Sequence, residues 1–397
     1  MKEVAIIGGG ILGLSIGYKL SQLKSNYRVF IFEKEQDIGL HQSGRNSGVL
    51  HCGLHYNPGS LKAKLAVNGI REMQSFCSKN EVEYDICGKI VVASDEREVK
   101  LLDNLASRGK KNGLKNLQYL DKNQLKKREP NVKALKTLFV PEEGIVSFTN
   151  VMKKLSQNIQ ENNGKIYLNS KVISSKEKND KVIVITDKIE KEFDLVINCG
   201  GLFSDKIFKK ITKSKSPLKI IPFRGEYMKF NEDYKNIFNH LIYPVPDPKF
   251  PFLGVHFTRM INNDKEVGPN AVLALKREGY KNTDISVQDF IETITYKGFL
   301  NFLYNNFYFN INEFLSSMST TSFVKKAKKL IPDVEEYMFS KKKFSGVRAQ
   351  AIDFNGELVM DFKVIRNNNQ VHVLNAPSPG ATASLAIAEH IIENYIK

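Results

Sequence analysis

Cysteine is scarce in this sequence, and tryptophan is absent. The four cysteines, Cys52, Cys77, Cys87 and Cys199, have no Cys-x-x-Cys spacing and no histidine cluster beside them. Neither a metal site of the zinc type nor a disulfide framework is therefore indicated, and a reducing cytoplasm fits this usage.

Long apolar runs are also missing. No run of about 18 apolar residues offers a membrane-spanning helix. The first predicted strand begins at Val4, which leaves no room for a signal peptide or a transit peptide. We therefore expect a cytoplasmic protein.

Acidic residues are outnumbered, with 43 Asp and Glu against 59 Lys and Arg and a formal net charge of +16. Such an excess can indicate nucleic acid, an anionic membrane surface or anionic small molecules. The basic residues are scattered rather than aligned along one helix, and no nucleic-acid-binding module is recognisable. We expect no nucleic-acid partner, and biased codon usage explains the lysine excess equally well.

The remaining composition is that of an ordinary globular protein. The 397 residues are 42% hydrophobic and 26% charged, which allows two packed domains.

A dinucleotide-binding unit opens the chain. The apolar run 4–7 predicts a buried parallel strand, and Gly8, Gly10 and Gly13 follow it at Gly-x-Gly-x-x-Gly spacing before a helical pattern. In this motif the glycines permit a tight turn, close approach of a pyrophosphate and close helix packing. Glu33 follows the next strand and is placed to bind a ribose. NAD and FAD both use this unit.

Further buried strands predict how the chain is divided. The apolar strand 195–198 ends at Gly200 and Gly201, and the strand 371–374 leads into a final helix over 381–395. We therefore predict an α/β fold: a Rossmann-like cofactor domain assembled from separated segments, with an inserted α+β substrate domain that has a mixed sheet. The predicted boundaries are 1–85, 145–215 and 340–397 for the first domain, and 86–144 and 216–339 for the second.

Several uncommon motifs in one order carry a resemblance over nearly the full length. They lie at 41–63, 222–227, 242–248, 250–258, 268–274, 346–351 and 375–379. On these motifs the sequence resembles the L-2-hydroxyglutarate oxidase/dehydrogenase family, FAD enzymes of the glycine oxidase and D-amino-acid oxidase superfamily. It departs from the family at Ser43 and Arg45, where Thr and His are usual.

The resemblance implies an FAD site. Its expected residues are Gly8, Gly10, Ile11, Gly13, Glu33, Lys34, Gln42, Ser43, Gly44, Asn46, Ser47, Gly48, Val172, Gly200, Gly201, Gly346, Pro379, Gly380, Ala381 and Thr382. The N-terminus of the final helix suits an anionic reduced flavin. Cys52 invites the idea of a covalent flavin, but nothing in the resemblance supports it, so we expect non-covalent FAD.

Oxidation of a 2-hydroxy acid needs a general base and a fixed carboxylate. His51 and His256 both lie in the resemblance motifs, and either could be the base. Arg348 aligns with the Gly-x-Arg motif that grips the substrate α-carboxylate in glycine-oxidase-like enzymes, and Tyr243 is expected to cap the substrate. A dicarboxylate needs a second cation, for which the candidates are Arg224, Arg259 and Arg277, with Arg277 preferred.

An aromatic stretch leaves two interpretations open. Its residues are Phe299, Phe302, Leu303, Phe307, Tyr308 and Phe309, followed by lysines at 325–326 and 328–329. Such a stripe is typical of a core or a subunit contact. It would also suit a surface that rests on an anionic membrane at the inner face of the cell membrane and takes quinone.

The leading hypothesis is FAD-dependent oxidation of L-2-hydroxyglutarate to 2-oxoglutarate, with hydride passing to flavin N5 and electrons to quinone or oxygen. An amine or amino-acid oxidase of the glycine oxidase type is the alternative enzyme. A non-catalytic flavin-binding protein is the alternative from another class.

Overall fold

The computed structural model describes residues 1–23, 26–247, 254–305 and 320–397. The strands are β1 Lys2–Ile7, β2 Tyr27–Phe32, β3 Val49–Leu50, β4 Tyr84–Asp85, β5 Lys89–Ala93, β6 Gln118–Leu120, β7 Lys136–Val140, β8 Gly144–Val146, β9 Lys165–Tyr167, β10 Val172–Lys178, β11 Lys181–Thr186, β12 Glu190–Phe193, β13 Leu195–Asn198, β14 Leu218–Phe230, β15 Leu241–Pro244, β16 His256–Arg259, β17 Lys265–Gly268, β18 Val272–Leu273, β19 Phe339–Asp353, β20 Lys363–Asn367 and β21 Gln370–Asn375. The helices are α1 Ile11–Gln22, α2 Leu61–Lys79, α3 Glu96–Lys111, α4 Lys122–Arg128, α5 Phe148–Glu161, α6 Ser204–Thr212, α7 Val287–Ile294, α8 Lys297–Asn305, α9 Thr320–Lys328 and α10 Ser384–Ile391.

The first sheet joins the two ends of the chain. Its order within the described residues is β20-β21-β13-β1-β2-β9, and β1 runs parallel to both β13 and β2. The last four residues of β1, β2 and β13 are buried, as expected for strands covered on both faces. Their carboxyl ends share one edge, so Gly8, Glu33 and Cys199 lie together there.

Helices cover this sheet. Helix α1 packs against α5 and α10, and Leu14, Ile16 and Leu20 belong to the main hydrophobic core. Helix α2 packs on α10. The predicted sheet built from distant segments is confirmed.

The second sheet is built mostly from antiparallel strands. Within the described residues its order is β18-β14-β17-β16-β15-β5-β7-β6, with β19 paired to β14. The long β14/β19 pair sets Phe223 opposite Arg348, and β15 lies between β5 and β16. Neighbouring strands thus carry Lys89, Tyr243 and His256. Strand β5 pairs with β7 and β15, which are both distant from it in sequence.

A small sheet of β3, β8 and β4 connects the two parts. Leu50 of β3 pairs with Gly144 of β8. His51 follows β3 directly and Glu143 precedes β8 directly, so this register brings the two residues together.

One helical prediction needs adjustment, and part of another lies outside the described residues. The final helix begins at Ser384 rather than at 381, because 381–383 form a turn in which the Ala383 N–H bonds to the Pro379 carbonyl, and it ends in a π-helix, Ile392–Ile396. The aromatic residues at 307–309 lie outside the described residues. No helix in the described part of the chain is long and apolar enough to cross a membrane.

Candidate active site

A cavity of about 1230 Å³ extends from the carboxyl edge of the first sheet to the second sheet. Pockets for one drug-sized ligand measure roughly 300–1,000 Å³, so this cavity has room for a dinucleotide and a small substrate. We call the part lined by Gly8, Glu33 and Gly200 the dinucleotide end. The part lined by His51 and Arg348 is the substrate end.

The glycine turn leaves the backbone open at the dinucleotide end. Gly8 has a φ of +111°, and a Cβ there would lie 2.6 Å from the Cys199 carbonyl oxygen. A Cβ on Gly13 would overlap the Gly8 carbonyl. Gly10 caps α1 without a side chain, and the Ile11 N–H donates to Ser43 Oγ at 3.0 Å. The start of α1 is therefore suited to an anion.

Glu33 is fixed by two backbone groups. Its Oε2 accepts from the Gly9 N–H at 2.7 Å, and its Oε1 accepts from the Glu35 N–H at 3.0 Å. Each carboxylate oxygen keeps a second lone pair for a ribose hydroxyl.

The loop at 42–48 is held by the C-terminal segment. Thr382 Oγ1 donates to the Val49 carbonyl at 3.1 Å and accepts from the His51 N–H at 3.2 Å. A Cβ on Gly346 would overlap the Arg45 carbonyl. Arg45 stacks on the Tyr280 ring at 3.9 Å, which shows how the structure accommodates this departure from the family pattern.

Most residues predicted for the cofactor line the cavity. They are Gly8, Gly10, Ile11, Glu33, Lys34, Gln42, Ser43, Asn46, Ser47, Val172, Gly200, Gly201, Gly346, Pro379, Gly380, Ala381 and Thr382. Gly13, Gly44 and Gly48 are not among the described lining residues. A Cβ on any of them would meet a backbone carbonyl, so they serve packing beneath the cavity.

A buried ion pair of Lys89 and Glu143 lies beside His51 at the substrate end. The Nδ1 of His51 lies 3.3 Å from Glu143 Oε2, while Glu143 Oε1 accepts a hydrogen bond from Lys89 Nζ at 2.8 Å. The Lys89 and Glu143 side chains are both 0% exposed. Burial raises the pKa of Glu143, but Lys89 and His51 outweigh it and hold this pKa below its ordinary value. Glu143 is therefore ionised.

Cys52 touches the same carboxylate. Its thiol donates to Glu143 Oε1 at 3.1 Å. Burial, together with the Glu143 charge, raises the pKa of Cys52 well above its ordinary value. The unreactive thiol form is therefore favoured.

His55 completes this group and was not singled out from the sequence. Its Nε2 lies 3.2 Å from Lys89 Nζ, and burial followed by the Lys89 charge lowers its pKa well below the ordinary value. Because an ammonium only donates, Nε2 accepts and the proton is on Nδ1. Nδ1 is buried and has no hydrogen-bond partner among the described residues.

His256 is also buried, in a different setting. Its Nδ1 donates to the Gly254 carbonyl at 2.8 Å, and its ring stacks on Tyr243 with centroids 4.0 Å apart. Burial lowers the pKa of His256 to about 3, so this ring stays neutral. Both residues line the cavity.

The predicted arginines separate into two groups. Arg348 is exposed to the cavity, near Tyr56 and Tyr227. Arg224 also lines it, but its NH1 donates to the Lys281 carbonyl at 3.0 Å and its Nε to Glu226 Oε1 at 3.3 Å.

The other two arginines do not reach the cavity. Arg277 is 2% exposed and binds Asp205 through two nitrogens, at 2.5 and 2.9 Å. Arg259 pairs with Asp85. Neither is among the described residues that line the cavity, so the structure does not place the preferred candidate, Arg277, at the substrate.

Comparison with known proteins identifies the family. The chain matches the model for FAD dependent oxidoreductases over residues 3–394. The chain belongs to this family. As a member, it uses FAD, and the start of α1 at Gly10, the fixed Glu33 carboxylate and the open Gly8 backbone fit that cofactor.

Relatives within the family are similar over the whole chain. An L-2-hydroxyglutarate dehydrogenase of Indibacter alkaliphilus is 43% identical over 395 residues, with 100% of this chain and 99% of that protein covered. A mitochondrial L-2-hydroxyglutarate dehydrogenase of Caenorhabditis elegans is 39% identical, with 99% and 93% covered. These matches confirm the resemblance found in the sequence.

A solved structure supports the fold. The FAD-bound, dithionite-reduced L-α-glycerophosphate oxidase of Mycoplasma pneumoniae has a TM-score of 0.79 at 22% identity, with 99% of this chain and 94% of that chain covered. The predicted fold class is thereby confirmed.

Proposed function

We propose that this FAD-dependent oxidoreductase converts L-2-hydroxyglutarate to 2-oxoglutarate. The observation that carries the proposal is that His51, whose Nδ1 lies 3.3 Å from the buried Glu143 carboxylate, lines the same cavity as Arg348. The names of the relatives support the substrate. Bound FAD supplies the acceptor for the hydride that leaves the substrate α-carbon.

His51 takes the hydroxyl proton in this proposal. The Glu143 carboxylate can only accept, so the proton on the resting ring is on Nδ1 and Nε2 is left with a lone pair. When Nε2 receives the substrate proton, the nearby carboxylate stabilises the positive ring. Lys89 keeps Glu143 ionised and in place for this task.

His256 is the weaker candidate for the base. With its pKa lowered to about 3, it would hold an abstracted proton poorly, since a base works best with a pKa near the working pH. Its Nδ1 is occupied by the Gly254 carbonyl. We assign it an orienting role beside Tyr243, which caps the substrate.

Arg348 binds the α-carboxylate. A guanidinium can hold both carboxylate oxygens and so fixes the α-carbon as well as neutralising its charge. The Nδ1–H of His55, which has no hydrogen-bond partner among the described residues, offers a further donor to an oxygen of the substrate.

The experiment is anaerobic reduction of the bound flavin by L-2-hydroxyglutarate, D-2-hydroxyglutarate, lactate and glycine. Of these four compounds, we expect L-2-hydroxyglutarate to bleach the flavin much the fastest. Bleaching by glycine in its place would indicate the amino-acid oxidase alternative. If none of the hydroxy acids bleaches the flavin, the protein is a non-catalytic flavoprotein.

The cofactor is bound without a covalent link in this proposal. The protonated, buried Cys52 supports it. Acid or heat denaturation should release unmodified flavin, and flavin that stays with the precipitated chain would contradict this expectation.

The sheets support the proposed domain division. Strands β1, β2, β9 and β13 of the first sheet fall in the cofactor segments 1–85 and 145–215, whereas β5–β7 and β14–β18 of the second sheet fall in 86–144 and 216–339. Strand β19 lies in the segment 340–397 apart from its first residue but pairs with β14, so it joins the two domains.

We also propose that electrons pass to quinone or oxygen and that the cytoplasmic enzyme rests on an anionic membrane. Phe299 and Phe302 are buried against β14 and β19, so they form core. Helix α7 exposes Val287 at 69% and Ile291 at 50%, and α8 exposes Leu300 at 49%. Such an apolar surface on a basic protein suits an anionic bilayer.

Cosedimentation with anionic vesicles tests this surface. We expect binding that weakens with salt and is lost in the double variant Ile291→Ser with Leu300→Ser. Leu135→Ser is the matched control, because Leu135 is 58% exposed elsewhere. Indifference of the wild type to vesicles would exclude the membrane contact.

A further inference from the structure

A dicarboxylate substrate needs a cation besides Arg348, and the arginines suggested by the sequence are occupied. Arg277 binds Asp205, Arg259 binds Asp85, and Arg224 donates to Glu226 and to the Lys281 carbonyl. The second cation must therefore come from another side chain that lines the cavity.

Lys62 is such a side chain. It lies in the first turn of α2 and lines the cavity. Its Nζ donates to the Met360 carbonyl at 3.1 Å and lies 5.0 Å from the centroid of the Tyr56 ring. No carboxylate of the described residues lies within ion-pair distance of it.

The surroundings of Lys62 disfavour a positive charge. A lysine near a helix N-terminus opposes the helix dipole, and the first turn of α2 carries no acidic residue. Burial lowers the pKa of Lys62 to about 8; Asp361, before β20, raises it, and Arg348 on β19 lowers it further. The ammonium form still predominates at pH 7, at roughly ten to one.

We propose that Lys62 binds the distal carboxylate of the substrate while Arg348 binds the α-carboxylate. This inference rests on the proposed function, because it assumes a dicarboxylate 2-hydroxy acid. A carboxylate between the two cations relieves their repulsion and satisfies the ammonium, which explains why a cation stands at this unfavourable place. Arg108 also lines the cavity, but its NH1 is bound to the His55 carbonyl at 2.9 Å.

The test compares Lys62→Met with Lys64→Met, a lysine that is exposed on the same helix. Anaerobic flavin reduction is measured with L-2-hydroxyglutarate and with L-2-hydroxypentanoate, which has the same chain length without the distal carboxylate. We expect Lys62→Met to raise the KM for the dicarboxylate by about 10- to 100-fold, with kcat and the reaction of the monocarboxylate nearly unchanged. Lys64→Met should behave as the wild type.

The pH dependence gives a second measurement. Since Lys62 is charged only below its pKa of about 8, kcat/KM for the dicarboxylate should fall as the pH rises through 8. Lys62→Arg should retain activity and move this fall to higher pH, because arginine stays charged. A purely structural lysine would not produce this shift.

Three results would overturn the proposal: equal losses for both substrates in Lys62→Met, no loss for either, or a dicarboxylate-selective loss in Arg108→Met that Lys62→Met lacks. Failure of the proposed function itself is recognised separately, because then wild-type flavin is not reduced by any hydroxy acid.

Discussion

The dinucleotide end and the substrate end of the cavity are built from different parts of the protein. At the dinucleotide end, backbone groups of glycine turns face the cavity, and Glu33 is held by main-chain N–H groups. At the substrate end, the functional groups are side chains, and the buried Lys89 and Glu143 form an ion pair beside His51.

This difference determines how each end fails. A binding site made of backbone groups tolerates changes of neighbouring side chains. It does not tolerate a Cβ that is added where two backbone segments are in contact. A side-chain site made of buried charges fails through electrostatics, because the loss of one partner leaves the other without compensation. Substitutions at the two ends should therefore give distinguishable defects.

The largest expected effect is on the base. His51→Ala should lower kcat for anaerobic flavin reduction by about 10²- to 10⁴-fold, with FAD still bound. His256→Gln should have a much smaller effect, since His256 stays neutral. Rapid mixing with L-2-hydroxyglutarate measures both variants, and a greater loss in the His256 variant would exchange the two roles.

The next largest effect is expected at the dinucleotide end, on the binding of FAD. Gly13→Ala places a Cβ against the Gly8 carbonyl, so α1 must move away from the turn. We expect the purified variant to retain little FAD, as measured by the ratio of flavin to protein absorbance. Ala63→Gly, in α2, is the control, because it also changes the chain by one methyl group. Full flavin content in Gly13→Ala would contradict the tight packing of Gly13 against Gly8.

The third effect concerns the buried pair. Glu143→Gln leaves Lys89 buried without its counter-charge, and such a loss costs about 3–5 kcal/mol of folding free energy. The double variant Glu143→Gln with Lys89→Met should recover much of this loss. Urea unfolding of Glu143→Gln, Lys89→Met and the double variant measures the coupling, and additive losses would show that the residues are not coupled.

The residues that the sequence suggests for the dinucleotide end lie close together in the fold for a physical reason. Gly8, Gly10, Gly13 and Glu33 fall within one strand-helix-strand unit, so their spacing along the chain reflects their spacing in the fold. Gly200 also lies at the end of an apolar run that identifies a buried strand.

The substrate end was predicted less completely because its contacts depend on strand pairing. Glu143 meets His51 only through the register of β3 with β8, and Lys89 reaches Glu143 from a strand of the second sheet. The available signal was a charged residue directly before an apolar run, as at Lys89. Lys62 gave no signal, because a lysine in a helix is usually at the surface.

The smallest kinetic effect is expected for Arg277, the cation favoured from its position after the motif at 268–274. Its partner Asp205 is 72 residues away in sequence, so the pairing is apparent only in the fold. Arg277→Met leaves the buried Asp205 carboxylate without its counter-charge, and should lower the free energy of unfolding by about 3–5 kcal/mol. The KM for L-2-hydroxyglutarate, measured on the folded, flavin-loaded fraction, should stay within about twofold of the wild type, because Arg277 does not line the cavity. A twofold change corresponds to about 0.4 kcal/mol of binding free energy. A KM raised as much as in Lys62→Met, without loss of stability, would place Arg277 at the substrate and break the distinction between structural and substrate-binding cations.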